Sequence, residues 1–347
     1  MDEINYTTPT EQIEKLRSQN MIILNEDFAK EQLQQCGYSN LIKSYRDPYT
    51  LVSNGRKIYR SGITFEQVLS LYTLDKNLRN AVMSAMLDLE EHIKEAAADV
   101  VASSFGVHQN RYLQFRNYRD KSKRKRRFSL AGILETMQKT LKTDKNPIFH
   151  YSSVHGIVPP WILFKSIYFS TIVNFIHQFK PAEQKEMVRH LYDISNLAIP
   201  ETVFPELMTD TLFICLEYRN LAAHGGRIYN YECKNKLRFI QNTNSNFHGF
   251  SLLLLLLSFF KYSSPFEILT DALTKELNRH CNLFPEDITY LGQILNVNIT
   301  ISNNVWVTGR SKKYHRAKHC SGILNAKSID VKAAETQGYT PCKKCCK

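Results

Sequence analysis

Residues 71–93 read LYTLDKNLRNAVMSAMLDLEEHI, and within them Leu71, Leu74, Leu78, Val82, Met86, Leu89 and Ile93 recur three or four positions apart. That spacing puts all seven on one stripe of an α-helix, with Asp75, Lys76, Arg79, Glu90 and Glu91 filling polar positions between them. A stripe this long needs other helices to cover it. Pro159 and Pro160 suit the start of a helical segment running from Trp161 to Phe179. Pro205 opens another, through Leu207, Thr211, Ile214, Cys215 and Tyr218, which Gly225 and Gly226 stop. Two more are expected around Phe250 to Tyr262 and Phe266 to Leu283. Strand signals are nearly absent before residue 295, so the expected fold class is all-α, a helical bundle followed by a small α+β module.

After residue 295 the texture changes. Val297, Ile299 and Ile301 alternate with Asn298, Thr300 and Ser302, and Asn303-Asn304 separates them from Val305-Trp306-Val307, which predicts a small β-hairpin. Length favours about two domains. They are expected at residues 1–295, helical, and 296–347, a small basic Cys/His module.

The formal net charge is +12, and it is focused. Arg116 to Arg127 holds eight basic residues against Asp120, and Arg310 to Lys347 holds ten against Asp330 and Glu335, which leaves the rest of the chain slightly acidic. Focused lysine and arginine clusters attract phosphate backbones, so nucleic acid is the expected partner rather than an acidic small molecule. Asn117 to Arg127 reads as a charged linker inside the helical body. Its Arg119, Lys121, Lys123, Arg124, Lys125, Arg126 and Arg127, together with Arg227, are candidate RNA-backbone contacts, and Tyr112, Phe115, Tyr118 and Phe128 are candidates to stack on unpaired bases.

Hydrophobic residues make up 43% and charged residues 22%, near the values of ordinary soluble domains. The N-terminus is acidic and polar, without the features of a secretory signal. The longest apolar stretch, Phe250 to Phe260 with six leucines from Leu252 to Leu257, is far shorter than the roughly 20 residues of a spanning helix. A cytoplasmic protein without a membrane partner is expected.

The helix expected to end at Gly225 carries Arg219, Asn220 and His224 in its last turns. Asn220 and His224 are four apart and share a face, and Arg219 lies about 100° to one side. Histidine moves protons near neutral pH, arginine grips a phosphate with a planar fork of donors, and asparagine can position a hydroxyl. These are the parts for cutting RNA without metal: a base for the 2′-hydroxyl, a cation for the phosphate and an acid for the leaving oxygen. One segment has one histidine, whereas in-line displacement needs base and acid on opposite sides of the phosphorus. A two-fold dimer meets that need, so a homodimer is expected. The plainer reading pairs Arg219 with Glu217 and leaves His224 to meet the helix dipole.

The string Glu217-Tyr218-Arg219-Asn220-Leu221-Ala222-Ala223-His224-Gly225-Gly226-Arg227-Ile228-Tyr229-Asn230 resembles the corresponding segment of the AbiD/AbiF type of abortive-infection proteins, in the HEPN superfamily. Ribonucleases of that superfamily carry arginine, usually a polar residue next, and histidine after four to six intervening residues. Asp75-Lys76-Asn77-Leu78-Arg79 with Leu87-Asp88-Leu89-Glu90-Glu91-His92-Ile93 is similar to the family's N-terminal helix, and His150-Tyr151 with Ile157-Val158-Pro159-Pro160-Trp161 to its middle. Leu24 to Ala29 through Gly37-Tyr38 also fits, so the resemblance spans about residues 10–290. It implies a HEPN-type bundle with extra helices, RNA cleavage or binding, and a role in phage defence like that of a toxin held by a partner such as a small RNA.

Eight cysteines are too few for a disulfide scaffold, and four of them fall in the last 28 positions. His315, Cys320, Cys342 and Cys345 would satisfy a tetrahedral zinc, with His319 or Cys346 as substitutes. So small a module lacks a core, and a structural zinc would help it fold. Its YHxxxxC and GYxPCxxC forms resemble the zinc-binding part of the Ada repair protein.

The expected function is therefore a metal-independent endoribonuclease without a catalytic cofactor, acting in abortive infection or as the toxin of a toxin–antitoxin-like system. The alternative is a non-catalytic RNA-binding protein that sequesters a small RNA. A DNA-binding regulator built on the tail is disfavoured, because no helix-turn-helix pattern stands out.

Overall fold

Thr8 accepts a hydrogen bond from the Glu11 amide at 3.3 Å and the Glu11 carboxylate accepts from the Thr8 amide at 2.7 Å, a capping box that starts the first helix. The computed structural model describes residues 5–53, 55–121, 125–197, 199–238, 248–301, 304–309, 311–316, 320 and 325–346. In chain order it holds α1 (Pro9–Ser18), α2 (Glu26–Cys36), β1 (Thr50–Ser53), β2 (Arg56–Tyr59), α3 (Phe65–Phe105), α4 (Gln109–Tyr112), α5 (Leu130–Thr140), α6 (Ile148–His150), α7 (Pro160–Leu163), α8 (Phe169–His177), α9 (Pro181–Leu191), α10 (Phe204–Ala223), α11 (Gly249–Ser258), α12 (Ser264–Leu283), α13 (Ile288–Leu295), β3 (Asn304–Thr308), β4 (Ser311–His315), β5 (Lys327–Asp330), α14 (Val331–Thr336) and β6 (Thr340–Pro341). Mostly α-helix with a small C-terminal α+β part is the fold class expected. Among the described residues no helix is long and apolar enough to cross a membrane.

The stripe read from residues 71–93 is the spine of α3: Leu71, Leu74, Leu78, Val82, Met86, Leu89 and Ile93 are all fully buried. Each such side chain contributes about 1.5–3 kcal/mol relative to exposure. Two of the polar positions are buried as well. Asp75 accepts from the Tyr45 hydroxyl at 2.5 Å, and Glu90 pairs with Lys94 at 2.7 Å. Buried charge is tolerated in both places because a partner is supplied.

The chain forms two compact units, one of residues 1–78 and 271–347 and one of residues 79–270. In the first, Asp287 Oδ2 accepts from the Tyr49 hydroxyl at 2.7 Å and the Gln67 amide at 3.2 Å, and lies 2.9 Å from His280 Nε2. His280 Nδ1 in turn lies 2.9 Å from Ser70 Oγ, and the imidazole is fully buried, so the row Ser70, His280, Asp287 is a tie between α3 and α12. Burial works to raise the Asp287 pKa, but His280, Tyr49 and Gln67 outweigh it and hold the carboxyl below its ordinary value.

The C-terminal sheet has the order β5-β3-β4-β6, with β3 antiparallel to both neighbours and β4 parallel to β6. Val305 and Val307 alternate inward and meet Tyr314 and Ala334 in a small core edged by Ile329, Val331, Tyr339 and Cys346.

Three local expectations are corrected. Strands do occur before residue 295: β1 pairs with β2, but Leu51 and Val52 are exposed and only Tyr59 at the end of β2 is buried, so two four-residue strands leave no alternation to read. The C-terminal hairpin pairs β3 with β4, not with residues 297–301. Asn296 takes a left-handed conformation at the end of α13 and the Val297 amide returns to the Gly292 carbonyl at 3.0 Å, so that stretch is the helix exit. The segment expected to be helical from Trp161 to Phe179 is broken by extended Ile167 and Tyr168. The break lets Phe164, Ile167 and Phe169 all bury, although one continuous helix would spread them over more than half its circumference.

Candidate functional site

α10 ends where two glycines allow it. Gly225 sits at φ +71° and donates to Ala222 O at 3.2 Å, and Gly226 donates to Leu221 O at 2.9 Å, the paired closure of a helix C-terminus. A Cβ on Gly226 would meet Leu221 Cδ1 at 2.1 Å, so alanine there would force Leu221 to move. Arg79 of α3 completes the end, donating from Nη1 to Gly225 O at 2.9 Å. The amide of His224 donates to Asn220 O at 3.1 Å, which stacks these two residues on one face, and the imidazole is exposed just past the last helical residue.

Arg219 and Asn220 are half-buried, and Arg219 Nη1 lies 3.5 Å from Asn220 Oδ1. Among the described residues Arg219 makes no ion pair, and its buried Nε has no hydrogen-bond partner. The plain pairing with Glu217 is not made. Two positions apart on a helix point about 160° away from each other, and Glu217 is occupied elsewhere. It accepts from the Tyr231 hydroxyl, the Lys234 amide at 2.7 Å and the Asn235 amide at 3.2 Å. Burial pushes the Glu217 pKa up, but those donors outweigh it and hold the carboxyl below the usual range. Arg238 continues the pattern, with Nη2 2.8 Å from Asp210 and Nη1 2.9 Å from Glu206. Glu206, Asp210 and Glu217 thus form an acidic edge along α10 on which residues 231–238 run back antiparallel to the helix.

Of the basic residues singled out, Arg119, Lys125, Arg126 and Arg127 are exposed and Lys121 and Arg227 half-buried, while Lys123 and Arg124 lie outside the described residues. The stretch is tied down more than its charge suggests: the amides of Arg119 and Lys121 donate to the Gln178 carbonyl and side chain, both at 2.8 Å. Arg126 reaches Glu135 at 3.5 Å, and Arg127 lies over the Phe128 ring, 4.5 Å from its centre. Tyr112 and Tyr118 cannot stack on bases. Both are buried, with the Tyr112 hydroxyl on Val158 O and the Tyr118 ring among Phe105, Phe175 and Phe179. Only Phe115 and Phe128 of the four keep accessible surface.

His315, Cys320, Cys342 and Cys345 converge, with their ligand atoms all within 4.8 Å of one another. Cys320 and Cys342 sulfurs are 3.8 Å apart, and Cys345 Sγ is 3.6 Å from His315 Nδ1. A tetrahedron with metal–sulfur bonds of about 2.3 Å and metal–nitrogen bonds of about 2.0 Å has edges of this length. The Lys344 amide points at Cys342 Sγ at 3.4 Å. Burial works to raise the Cys342 thiol, but the Lys344 and Cys345 amides and the Cys320 thiol hold it below its ordinary value. Burial, with Lys313 nearby, lowers the His315 pKa, which favours the neutral ring a metal needs. Four residues can therefore hold a metal ion. Cys346 turns instead to the Tyr314 carbonyl, 3.4 Å away, and His319 lies outside the described residues.

Sequence reasoning missed Arg79 as the clamp on the α10 end and the Glu206, Asp210, Glu217 edge. No spacing rule links residue 79 to residue 225, 146 positions on. No curated protein and no solved structure matches the chain. A family model described as Abi-like protein matches residues 31–230, which include the whole of α3 and α10 with Arg219, Asn220 and His224 but stop short of the cysteine module. With more than half of its length matched, the chain belongs to the Abi-like protein family, which points to a role in abortive infection and phage defence.

Proposed function

We propose that the chain is a metal-independent endoribonuclease of the HEPN type, acting in the cytoplasm as a homodimer during abortive infection. The observation that carries this reading is Arg219. It is a half-buried guanidinium without a carboxylate partner among the described residues, beside Asn220 and about one turn from an exposed His224. A cation left uncompensated near an open surface suits a phosphate. In the reaction the 2′-hydroxyl oxygen attacks phosphorus and loses its proton to a base, while the 5′ oxygen leaves and takes a proton from an acid, giving a 2′,3′-cyclic phosphate and a 5′-hydroxyl. Each chain brings one histidine to this site, so base and acid would be His224 and the partner's His224. Arg219 would steady the phosphate and Asn220 orient the attacking hydroxyl. Arg119, Lys121, Lys125, Arg126, Arg127 and Arg227 would hold the RNA backbone, and His315, Cys320, Cys342 and Cys345 a structural zinc.

Purified protein should cut RNA in EDTA and leave cyclic-phosphate ends, and His224→Ala should not; equal activity in the two would sink the assignment. A second reading, RNA sequestration without cleavage, is favoured by the lone histidine, His224, that one protomer places beside Arg219 and Asn220. Intact RNA recovered from a tight wild-type complex would establish it.

A further inference from the structure

A cavity of about 230 Å³ opens in the unit of residues 1–78 and 271–347, lined by Lys275, Asn278, Asn282, Asn304, Val305, Arg316 and Val331. Lys275, Asn278 and Asn282 are three and four positions apart and form one stripe of α12. The opposite wall belongs to the cysteine module: Asn304 and Val305 from β3, Arg316 beside the metal ligand His315, and Val331 at the start of α14. Two cations, three carboxamides and two valines meet there, and none of these lining residues is acidic.

We infer that this cavity binds a single nucleotide, its phosphate against Lys275 and Arg316 and its base on Val331 within reach of the asparagines. Each part has a chemical reason. Phosphate is the anion that an arginine fork and a lysine share best. A carboxamide offers a donor and an acceptor side by side, the pattern on a base edge, and is neutral enough not to repel the phosphate. Val331, partly exposed above the buried Val305, gives the apolar contact that a heterocycle needs and an inorganic anion does not. At about 230 Å³ the space is smaller than the about 300–1,000 Å³ of pockets that enclose a drug-sized ligand, but it opens to solvent. One nucleotide can therefore seat its phosphate and base edge there with the rest outside, whereas a duplex cannot enter. The nucleotide can arrive free or as one unit of a strand. In the second case the site would anchor RNA on the cysteine module, and that case alone rests on the ribonuclease reading.

The test is titration of the full-length, zinc-loaded protein with AMP, CMP, GMP, UMP, inorganic phosphate and a labelled single-stranded RNA, with RNA cleavage followed in parallel. At least one nucleoside monophosphate should bind, inorganic phosphate should bind more weakly, and Lys275→Ala with Arg316→Ala should weaken binding about tenfold or more. Asn278→Ala with Asn282→Ala should change the preference among bases, and His224→Ala should leave nucleotide binding intact. Displacement of the RNA by the mononucleotide assigns the site to a strand; independent binding assigns it to a free nucleotide. Inorganic phosphate binding as well as any nucleotide, or indifference to both double variants with unchanged melting temperatures, would overturn the inference while leaving cleavage at His224 to stand or fall separately.

Discussion

Arg79 on α3 donates to the carbonyl oxygen of Gly225, the residue that closes α10, at 2.9 Å. The contact fixes the helix end that carries Arg219 and His224 against the longest helix of the chain. Arg79→Ala should cost about 1–2 kcal/mol in thermal unfolding. It should lower single-turnover RNA cleavage more than tenfold, since about 1 Å of misplacement can cost on the order of a hundredfold. Lys at this position should restore part of both. Lost stability with unchanged cleavage would leave Arg79 a clamp without bearing on the site.

Gly226→Ala should destabilise by about 1–3 kcal/mol, because the new Cβ collides with Leu221. Leu221→Ala removes the colliding atoms, so the double variant should be more stable than the sum of the two single effects predicts. A double-mutant cycle in chemical denaturation reads the coupling. Additive effects would place the strain in the backbone instead.

Acid should weaken the fold through Asp287 and Glu217. Both carboxyls titrate below their ordinary values, 3.8 and 4.5, so the stability they add is fully present above those values and is lost as pH falls through the lower folded-state ones. Melting temperatures followed from pH 7 downward should hold until roughly pH 4 and then drop. Asp287→Asn should start lower and fall less steeply.

Metal analysis of protein purified without chelator should give one zinc per chain. Cys342→Ser or Cys345→Ser should abolish it, and Cys346→Ser should not, because Cys346 faces the Tyr314 carbonyl. Loss of zinc in the Cys346 variant would rewrite the ligand set.

Replacing Lys125, Arg126 and Arg127 with alanine should lower the slope of log affinity for single-stranded RNA against log salt by about 2. An unchanged slope would take these residues off the RNA path.

Much of the fold was legible because it rests on periodicity. The seven-residue stripe of α3 is buried at every position, and the proline and glycine signals bracket α10 correctly. What escaped depends on partners far apart in sequence. Asp75 read as a polar surface position because nothing near it announces Tyr45, 30 residues earlier. Tyr112 and Tyr118 read as stacking rings because charge around them suggested a surface, whereas Tyr118 is buried against Phe175 and Phe179 and the Tyr112 hydroxyl is held by the Val158 carbonyl. At the site, residue types and spacing named Arg219, Asn220 and His224, but only the fold shows that Glu217 is taken by residues 231–235 and leaves Arg219 uncompensated. The metal ligands were legible because thiols and imidazole are chemically scarce. The nucleotide cavity was not, because asparagines and valines are common.

The tie between Tyr49 and Asp287 crosses 238 residues. A ribosome therefore releases the N-terminal half of that buried network long before it makes His280 or Asp287, and the unit of residues 1–78 and 271–347 cannot close while the chain is still being translated past residue 79. The intervening unit, with α10 entire, can fold first. Until synthesis reaches the last helices, the nascent protein carries the complete Arg219 to His224 segment, which can therefore take shape before the buried network of Tyr49, His280 and Asp287 closes.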